Sequence, residues 1–368
     1  MIPADTVSLR DYERRFHERV HPAIAAYIAG ASADGITQRD NLAAFERIRL
    51  MPRTLVDMSQ ATARSELFGT TLDYPILIAP TAYHKLVHAD GELATVHAAS
   101  LTRTWMTVST QASVTLEDIA RTSTTTLWFQ LYLQARREDT LTLVRRAEQA
   151  GYRAIVVTID ATVNGIRNAE QRAGFRLPEG VSAVNLAAFP APEAIDASQG
   201  SPVFRGMLRH APTWRDIAWL CGETRLPVLV KGLLNPVDVR PALDAGVAGI
   251  VVSNHGGRTL DTVPATIDAL PDIVQEVAGA VPILLDGGIR RGTDIAKAIA
   301  LGARAVLVGQ PILHALAVGG MPGVAHMLTM LQAELEVAMA QLGCPTLASL
   351  DSTILSAPRS RFMGEGRA

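Results

Sequence analysis

Eight short apolar runs separated by helix-length segments, polar residues at the ends of most runs, and glycine-rich turns after the last two predict an α/β protein folded as a (β/α)8 TIM barrel. Barrels of this kind commonly hold a chain of 368 residues as one domain, so residues 1–368 are read as a single unit. Residues 1–72 precede the first run as an N-terminal extension, helical and then turn-rich, that plugs or flanks the barrel.

In order, the strands are PILIAP (75–80), WMTVST (105–110), LWFQLY (127–132), AIVVTID (154–160), PVLVKG (227–232), GIVVSNH (249–255), PILLDGG (282–288) and AVLVGQ (305–310). Helix starts are marked by N-cap candidates or first-turn acids around Thr115, Glu138, Asn235 and Thr293. An open doubly wound sheet usually announces itself by a GxGxxG turn after its first strand, and none follows PILIAP. The segment 173–211, rich in Pro, Ala and Ser, is far longer than an ordinary βα connection and reads as a mobile lid after the fourth strand.

Apolar residues make up 48% of the chain and charged ones 19%, a composition that suits a buried sheet wrapped in helices. A formal net charge of −2 gives no reason to expect a nucleic acid or an anionic membrane as partner. Cys221 and Cys344 lie far apart without metal-type spacing, so neither a disulfide framework nor a zinc site is expected, and both are read as packing residues. The start of the chain has no apolar core with a cleavage site, and no run reaches the roughly 18 apolar residues that span a bilayer. A cytoplasmic location is the resulting expectation.

In such a barrel the active site gathers at the C-terminal ends of the strands. Those ends supply Ser109 and Thr110, Gln130 and Tyr132, Thr158 and Asp160, Lys231, Ser253, Asn254 and His255, and Asp286. One polar residue at a strand end can simply meet solvent; agreement over most of the strands is hard to obtain that way. His255, in SNHGGRTLD, can take a proton near neutral pH, and a carboxylate such as Asp160 can orient its ring and stabilise the cation. Arg258 and Arg167 are guanidinium forks able to bind a carboxylate, although either alone can be a solvated surface charge. DGGIRRGTD (286–294) and Gly309 stand where barrels build phosphate sites from backbone N–H groups, and Arg290 adds charge there. Lys231 is a buried cation that needs an anionic partner. It can face a reduced flavin, form a Schiff base or sit in a salt bridge, and the residues alone leave these three readings open.

YIAGASAD, PTAYHKLVHADGE, FQLY, VKG, SNHGGRTLD and DGGIRRGTD, in this spacing, resemble the FMN-dependent L-2-hydroxy acid oxidases and dehydrogenases, from about Tyr12 to Leu350. That family includes glycolate, lactate and 4-hydroxymandelate oxidases and mandelate dehydrogenase. The resemblance implies FMN as cofactor, His255 as base paired with Asp160, and a substrate carboxylate gripped by Arg167 and Arg258 with Tyr27 and Tyr132. It places Lys231 at the flavin N1/C2 carbonyl edge. Ala82, Ser109, Gln130, Thr158 and Ser253 take the positions around the isoalloxazine and ribityl chain, and Asp286, Gly288, Arg290, Gly309 and Gln310 those around the ribityl and phosphate. Tyr83 and Gln111 are implied to line the substrate side.

Three departures stand out. Gln310 replaces a usual Arg, which removes one phosphate charge contact and shifts load to Arg290 and backbone amides; Asn168 follows the substrate arginine where many members carry a charge; and ATVNG (161–165) replaces the common TPRLG. By the resemblance, the α-hydrogen leaves to flavin N5 as hydride or after a carbanion-like stage, and oxygen or another acceptor takes the electrons. The 173–211 segment has no sustained apolar run or basic cluster, which favours a soluble oxidase over a membrane-bound dehydrogenase. Gln111 and Tyr83 lean toward an aryl or medium-chain acid as much as glycolate. Other flavin barrels, such as type 2 isopentenyl diphosphate isomerase or dihydroorotate dehydrogenase, do not need the His255, Arg258 and Arg167 set, and a non-catalytic flavin-binding module does not need the base. Family members are often homotetramers, and the long C-terminal helix can serve an interface or pack on its own barrel.

Overall fold

A parallel strand covered by helices is buried on both faces, so its sequence reads as a continuous apolar run. Each of the eight runs forms such a strand in a computed structural model that describes residues 2–190 and 200–356. Three helices come first, α1 (Leu9–Arg19), α2 (Pro22–Ala29) and α3 (Ile36–Arg47). A hairpin, β1 (Ser65–Leu67) and β2 (Thr70–Leu72), precedes the barrel strands β3 (Ile76–Ile78), β4 (Trp105–Ser109), β5 (Leu127–Leu131), β6 (Ile155–Thr158), β7 (Val228–Leu233), β8 (Gly249–Val252), β9 (Ile283–Asp286) and β10 (Ala305–Val308). Each of the eight pairs in parallel with its sequence neighbours, and β10 closes on β3 with Val306 opposite Ile76 and Val308 opposite Ile78.

Successive side chains of a strand point to opposite faces. Leu77, Trp105, Trp128, Val156, Leu229, Val251, Leu284 and Leu307 belong to one interior cluster, whereas their neighbours Ile78, Met106, Phe129, Val157, Val230, Val252, Leu285 and Val308 pack with the helices. Continuing the interior parity by two residues, or four in β4, reaches Ala79, Ser109, Gln130, Thr158, Lys231, Ser253, Asp286 and Gly309. The pleat alone therefore gathers the polar strand ends at one mouth of the barrel. The hairpin, which the sequence reading left as part of a turn-rich stretch, closes the other mouth: Leu67 and Leu72 join the cluster of Trp105 and Trp128.

The covering helices are α4 (Glu92–Leu101), α5 (Leu116–Thr122), α6 (Arg137–Gln149), α7 (Asn168–Arg172), α8 (Trp214–Glu223), α9 (Val239–Asp244), α10 (Thr266–Val277), α11 (Gly292–Ala300) and α12 (Gln310–Leu342). Thr115 caps α5 by accepting from the Asp118 N–H, and Asp294 accepts from the N–H groups of Arg290 and Arg291 at the start of α11. Among the described helices, α12 alone has the length and apolar character to cross a membrane, which the sequence reading did not anticipate. Gly320 (φ 57°) breaks it, and most of its apolar surface packs against α1, α4 and α11. The apolar face offered as an interface is thus largely used within the chain. Cys344 is buried and Cys221 half-buried, both as free thiols. Of the expected lid, 191–199 lie outside the described residues; the remainder includes short helical turns at Val184–Leu186, Pro202–Gly206 and Met207–His210.

Candidate active site

A cavity of about 750 Å³ opens at the polar mouth of the barrel, within the range of about 300–1,000 Å³ usual for ligand sites. Tyr27, Ala82, Ser109, Gln111, Gln130, Tyr132, Thr158, Arg167, Lys231, His255, Arg258, Asp286, Gly288, Arg290, Gly309 and Gln310 all line it. Asp160 and Ser253 stand behind that wall, each bonded to a lining residue. Tyr83 is the exception to the expected set. Its backbone is left-handed (φ 54°) and its ring lies 6.4 Å from that of Tyr27, so it backs the wall without forming it.

His255 follows β8 in a left-handed conformation (φ 56°) that a non-glycine residue rarely adopts. Its N–H donates to Ser253 Oγ at 3.1 Å, and its Nδ1 lies 2.9 Å from Asp160 Oδ1. A carboxylate accepts only, so the pairing puts the imidazole proton on Nδ1 and leaves Nε2 with its lone pair. The second carboxylate oxygen, Oδ2, is buried with no hydrogen-bond partner among the described residues. Such a poorly satisfied carboxylate is costly beside a neutral ring and well matched to a cationic one. Gly232 (φ 114°) makes room for it, since a Cβ there would lie 2.5 Å from the Asp160 side chain.

The substrate side carries the second group of charges. Arg258 Nη1 reaches the carbonyls of Tyr27 (2.8 Å), Ile28 (3.2 Å) and Gly30 (2.7 Å), and its guanidinium lies 5.4 Å from the Tyr27 ring centre. Burial, reinforced by the Arg167 cation, pulls its pKa below the usual arginine value. Arg167 is itself paired with Glu170 at 3.0 Å. One guanidinium is thereby balanced within the protein and the other has no ion-pair partner among the described residues, a charge balance that suits one bound carboxylate. Burial raises the pKa of both Tyr27 and Tyr132, and the Asp160 charge adds to the effect at Tyr132, so both phenols stay protonated donors at neutral pH.

Lys231 Nζ lies 2.6 Å from Asp286 Oδ2 and 2.8 Å from Ser253 Oγ, and Ser253 Oγ donates to the same carboxylate oxygen at 2.8 Å. Of the three readings of Lys231, the salt bridge is thus present in the structure. Two of the ammonium's three N–H donors are engaged, and one is left for the cavity. A polar chain continues along the adjoining strands, where Ser109 Oγ bonds Gln130 Oε1 (3.2 Å) and Gln130 Nε2 donates to Thr158 Oγ1 (3.0 Å), Thr158 standing beside Lys231 in the sheet.

At the loops after β9 and β10, Arg290 Nη1 donates to Ile289 O (3.0 Å) and Nη2 to Gln310 Oε1 (2.9 Å). Burial lowers its pKa, and no carboxylate pairs with it among the described residues. Gly288 (φ 82°) leaves no room for a side chain, because a Cβ would lie 2.2 Å from Asn41 O of α3. The cavity also touches Glu13, His17, Gln38 and Asn41, which the sequence reading missed. They lie on helices ahead of the barrel, where no strand-end position marks them. Leu186, Met207 and Ala211 of the long connection reach the cavity as well.

A base held by a carboxylate, an unbalanced guanidinium beside it and a second cation near glycine-lined turns define a site for a carboxylate substrate and a phosphate-bearing cofactor. Comparison with known proteins makes the class specific, since residues 16–357 match the family described as FMN-dependent dehydrogenase. The chain is 46% identical to an L-lactate oxidase of Alicycliphilus denitrificans, over 96% of this chain and 98% of that protein. It is 42% identical to the peroxisomal (S)-2-hydroxy-acid oxidase GLO4 of Oryza sativa subsp. japonica, over 98% and 96%. It superposes with a TM-score of 0.86 on a mandelate oxidase solved with benzoyl-formic acid, at 40% identity and covering 95% of this chain and 98% of that one. The chain belongs to the FMN-dependent dehydrogenase family. Its residues fit FMN: Arg290 is a partly buried cation without a counter-ion among the described residues, beside glycine-lined turns, and Lys231 and the Ser109–Gln130–Thr158 chain offer polar groups along the wall.

Proposed function

We infer that this protein oxidises an L-2-hydroxy acid to the 2-oxo acid, using FMN and oxygen, with His255 as the base. The observation that carries the reading is the His255–Asp160 pair, which leaves Nε2 as the uncommitted acceptor in a cavity that also holds Arg258. Arg258 and Arg167 bind the substrate carboxylate, and Tyr27 and Tyr132 donate to its oxygens. His255 Nε2 removes the hydroxyl proton, and Asp160 stabilises the imidazolium that results. When bound, FMN would supply the two-electron acceptor for the α-hydrogen, with oxygen as the terminal oxidant. Lys231, already paired with Asp286, would help hold the flavin and offer it positive charge.

Leu186, Met207 and Val163 are among the apolar residues that line the cavity, which supports an acid with an apolar 2-substituent at least as well as glycolate. A cytoplasmic location and a homotetrameric assembly belong to the same proposal and rest on the sequence reading. The test is anaerobic mixing of FMN-loaded protein with L- and D-2-hydroxy acids from glycolate to mandelate. Bleaching of the oxidised flavin band by an L-acid, reversed by air with formation of peroxide, is expected. No bleaching by any acid would overturn the substrate assignment.

A further inference from the structure

The C-terminal carbonyls of a helix have no partners within it, and at the end of α2 they are taken up by side chains from three other segments, α3, the loop after β8 and the start of α12. Arg258 donates to Tyr27, Ile28 and Gly30, Gln38 Nε2 donates to Ala29 O (2.8 Å), and Gln310 Nε2 donates to Ile28 O (3.3 Å). Ile28 O is therefore reached from the substrate side by Arg258 and from the phosphate corner by Gln310. The other end of the Gln310 amide accepts from Arg290 Nη2 at 2.9 Å. One neutral side chain ties the cation of the phosphate corner to the helix end that carries Tyr27.

We propose that Gln310 is a positioning residue: it holds Arg290 in the rotamer that meets the FMN phosphate and fixes the end of α2, so that the phosphate corner and Tyr27 are ordered together. The inference rests on the FMN reading and concerns the use this chain makes of a neutral residue at this position. Arg290 has five N–H groups. Gln310 and the Ile289 carbonyl engage one on each terminal nitrogen, which leaves Nε–H and one N–H on each terminal nitrogen for phosphate oxygens. An amide accepts from the guanidinium without neutralising it, so the full charge stays available to the anion. A carboxylate at position 310 would hold Arg290 equally well and compete with the phosphate.

The experiment is a titration of deflavinated full-length protein with FMN and, separately, with riboflavin, followed by flavin fluorescence, for wild type, Gln310→Met, Arg290→Met and the double variant. Gln310→Met is expected to weaken FMN about tenfold or more, as for a lost hydrogen bond to a charged group, and to leave riboflavin affinity unchanged. In the Arg290→Met background the same change is expected to matter by less than about twofold, because its effect passes through Arg290. Hydrogen exchange of the peptide covering residues 22–30 is expected to quicken in FMN-saturated Gln310→Met. Equal losses for FMN and riboflavin, additive effects of the two substitutions, or unchanged exchange in α2 would each overturn the proposal. If Gln310→Met does not fold, Gln310→Asn, one methylene shorter and unable to span both partners, is expected to give the same pattern. Wild-type protein that binds no FMN would overturn the cofactor reading itself, a result visible before any variant is compared.

Discussion

His255 holds a backbone conformation that costs a non-glycine residue on the order of 1–3 kcal/mol, and its surroundings show what holds it there. Its N–H is tied to Ser253 Oγ, its ring to Asp160, and Gly256 and Gly257 follow with positive φ. If Asp160 orients the base and stabilises its cation, Asp160→Asn is expected to slow anaerobic flavin reduction by roughly 10²–10⁴-fold with a much smaller change in flavin binding. A rate within a few-fold of wild type would remove Asp160 from the mechanism. A second histidine makes a different prediction. His314 on α12 is buried with neither ring nitrogen bonded among the described residues, its ring 4.5 Å from that of Phe16, and burial holds its pKa well below the usual value. Its folded pKa is depressed, so below about pH 6.5 the unfolded chain binds a proton that the folded one refuses, and stability falls as pH falls, by about 1.4 kcal/mol per unit. His314→Leu should flatten the loss of stability below about pH 6.5, read from urea midpoints; parallel curves for the two proteins would sink the idea. The two histidines also mark what the sequence discloses. His255 was legible because it ends a strand, whereas His314, in an apolar helix, carries no signal of its unbonded state.

At the scale of elements, the pleat made most of the site readable in advance. Once a run is recognised as a barrel strand, parity assigns Ser109, Gln130, Thr158, Lys231, Ser253 and Asp286 to the mouth without further information. The helices before the barrel obey no such rule, which is why Tyr27 came only through family resemblance and Asn41, Gln38 and His17 not at all. The position of α3 depends on tertiary bonds. Asp261, beyond the His255 loop, accepts from the N–H groups of Thr37 (2.8 Å) and Asp34 (3.1 Å) at the start of that helix. Burial pushes its pKa up, but these backbone donors prevail and hold it below the usual carboxylate value. Its contribution is therefore present above the unfolded value of about 3.9 and is lost as pH falls through the lower folded one. Asp261→Asn, which removes the charge at a helix N-terminus, should cost about 1–2 kcal/mol at pH 7. The deficit should shrink toward pH 3 as wild type loses the same interaction. A deficit that stays constant over that range would assign the effect to packing.

At the scale of the whole molecule, the two ends of the barrel differ in what they lack. The hairpin end is filled by Leu67, Leu72, Trp105 and Trp128, whereas the open end keeps Arg258 and Arg290 without counter-ions among the described residues and one buried Asp160 oxygen unbonded. Uncompensated charges in a partly buried cavity destabilise the folded chain, and a ligand that binds only the folded chain offsets that cost by RT ln(1 + [L]/Kd). FMN at a hundred times its Kd should add roughly 2.7 kcal/mol, a rise of roughly 3–5 °C in melting temperature for a chain of this length. Riboflavin at the same multiple of its own Kd should give an equal shift, since linkage depends on occupancy alone; at equal concentration FMN should give the larger one, because only FMN meets Arg290. Scanning calorimetry of deflavinated protein with each flavin separates the two effects. Equal shifts at equal, subsaturating concentration would mean that Arg290 does not bind the phosphate, and the cationic corner at the β9 and β10 loops would then need another anion to account for it.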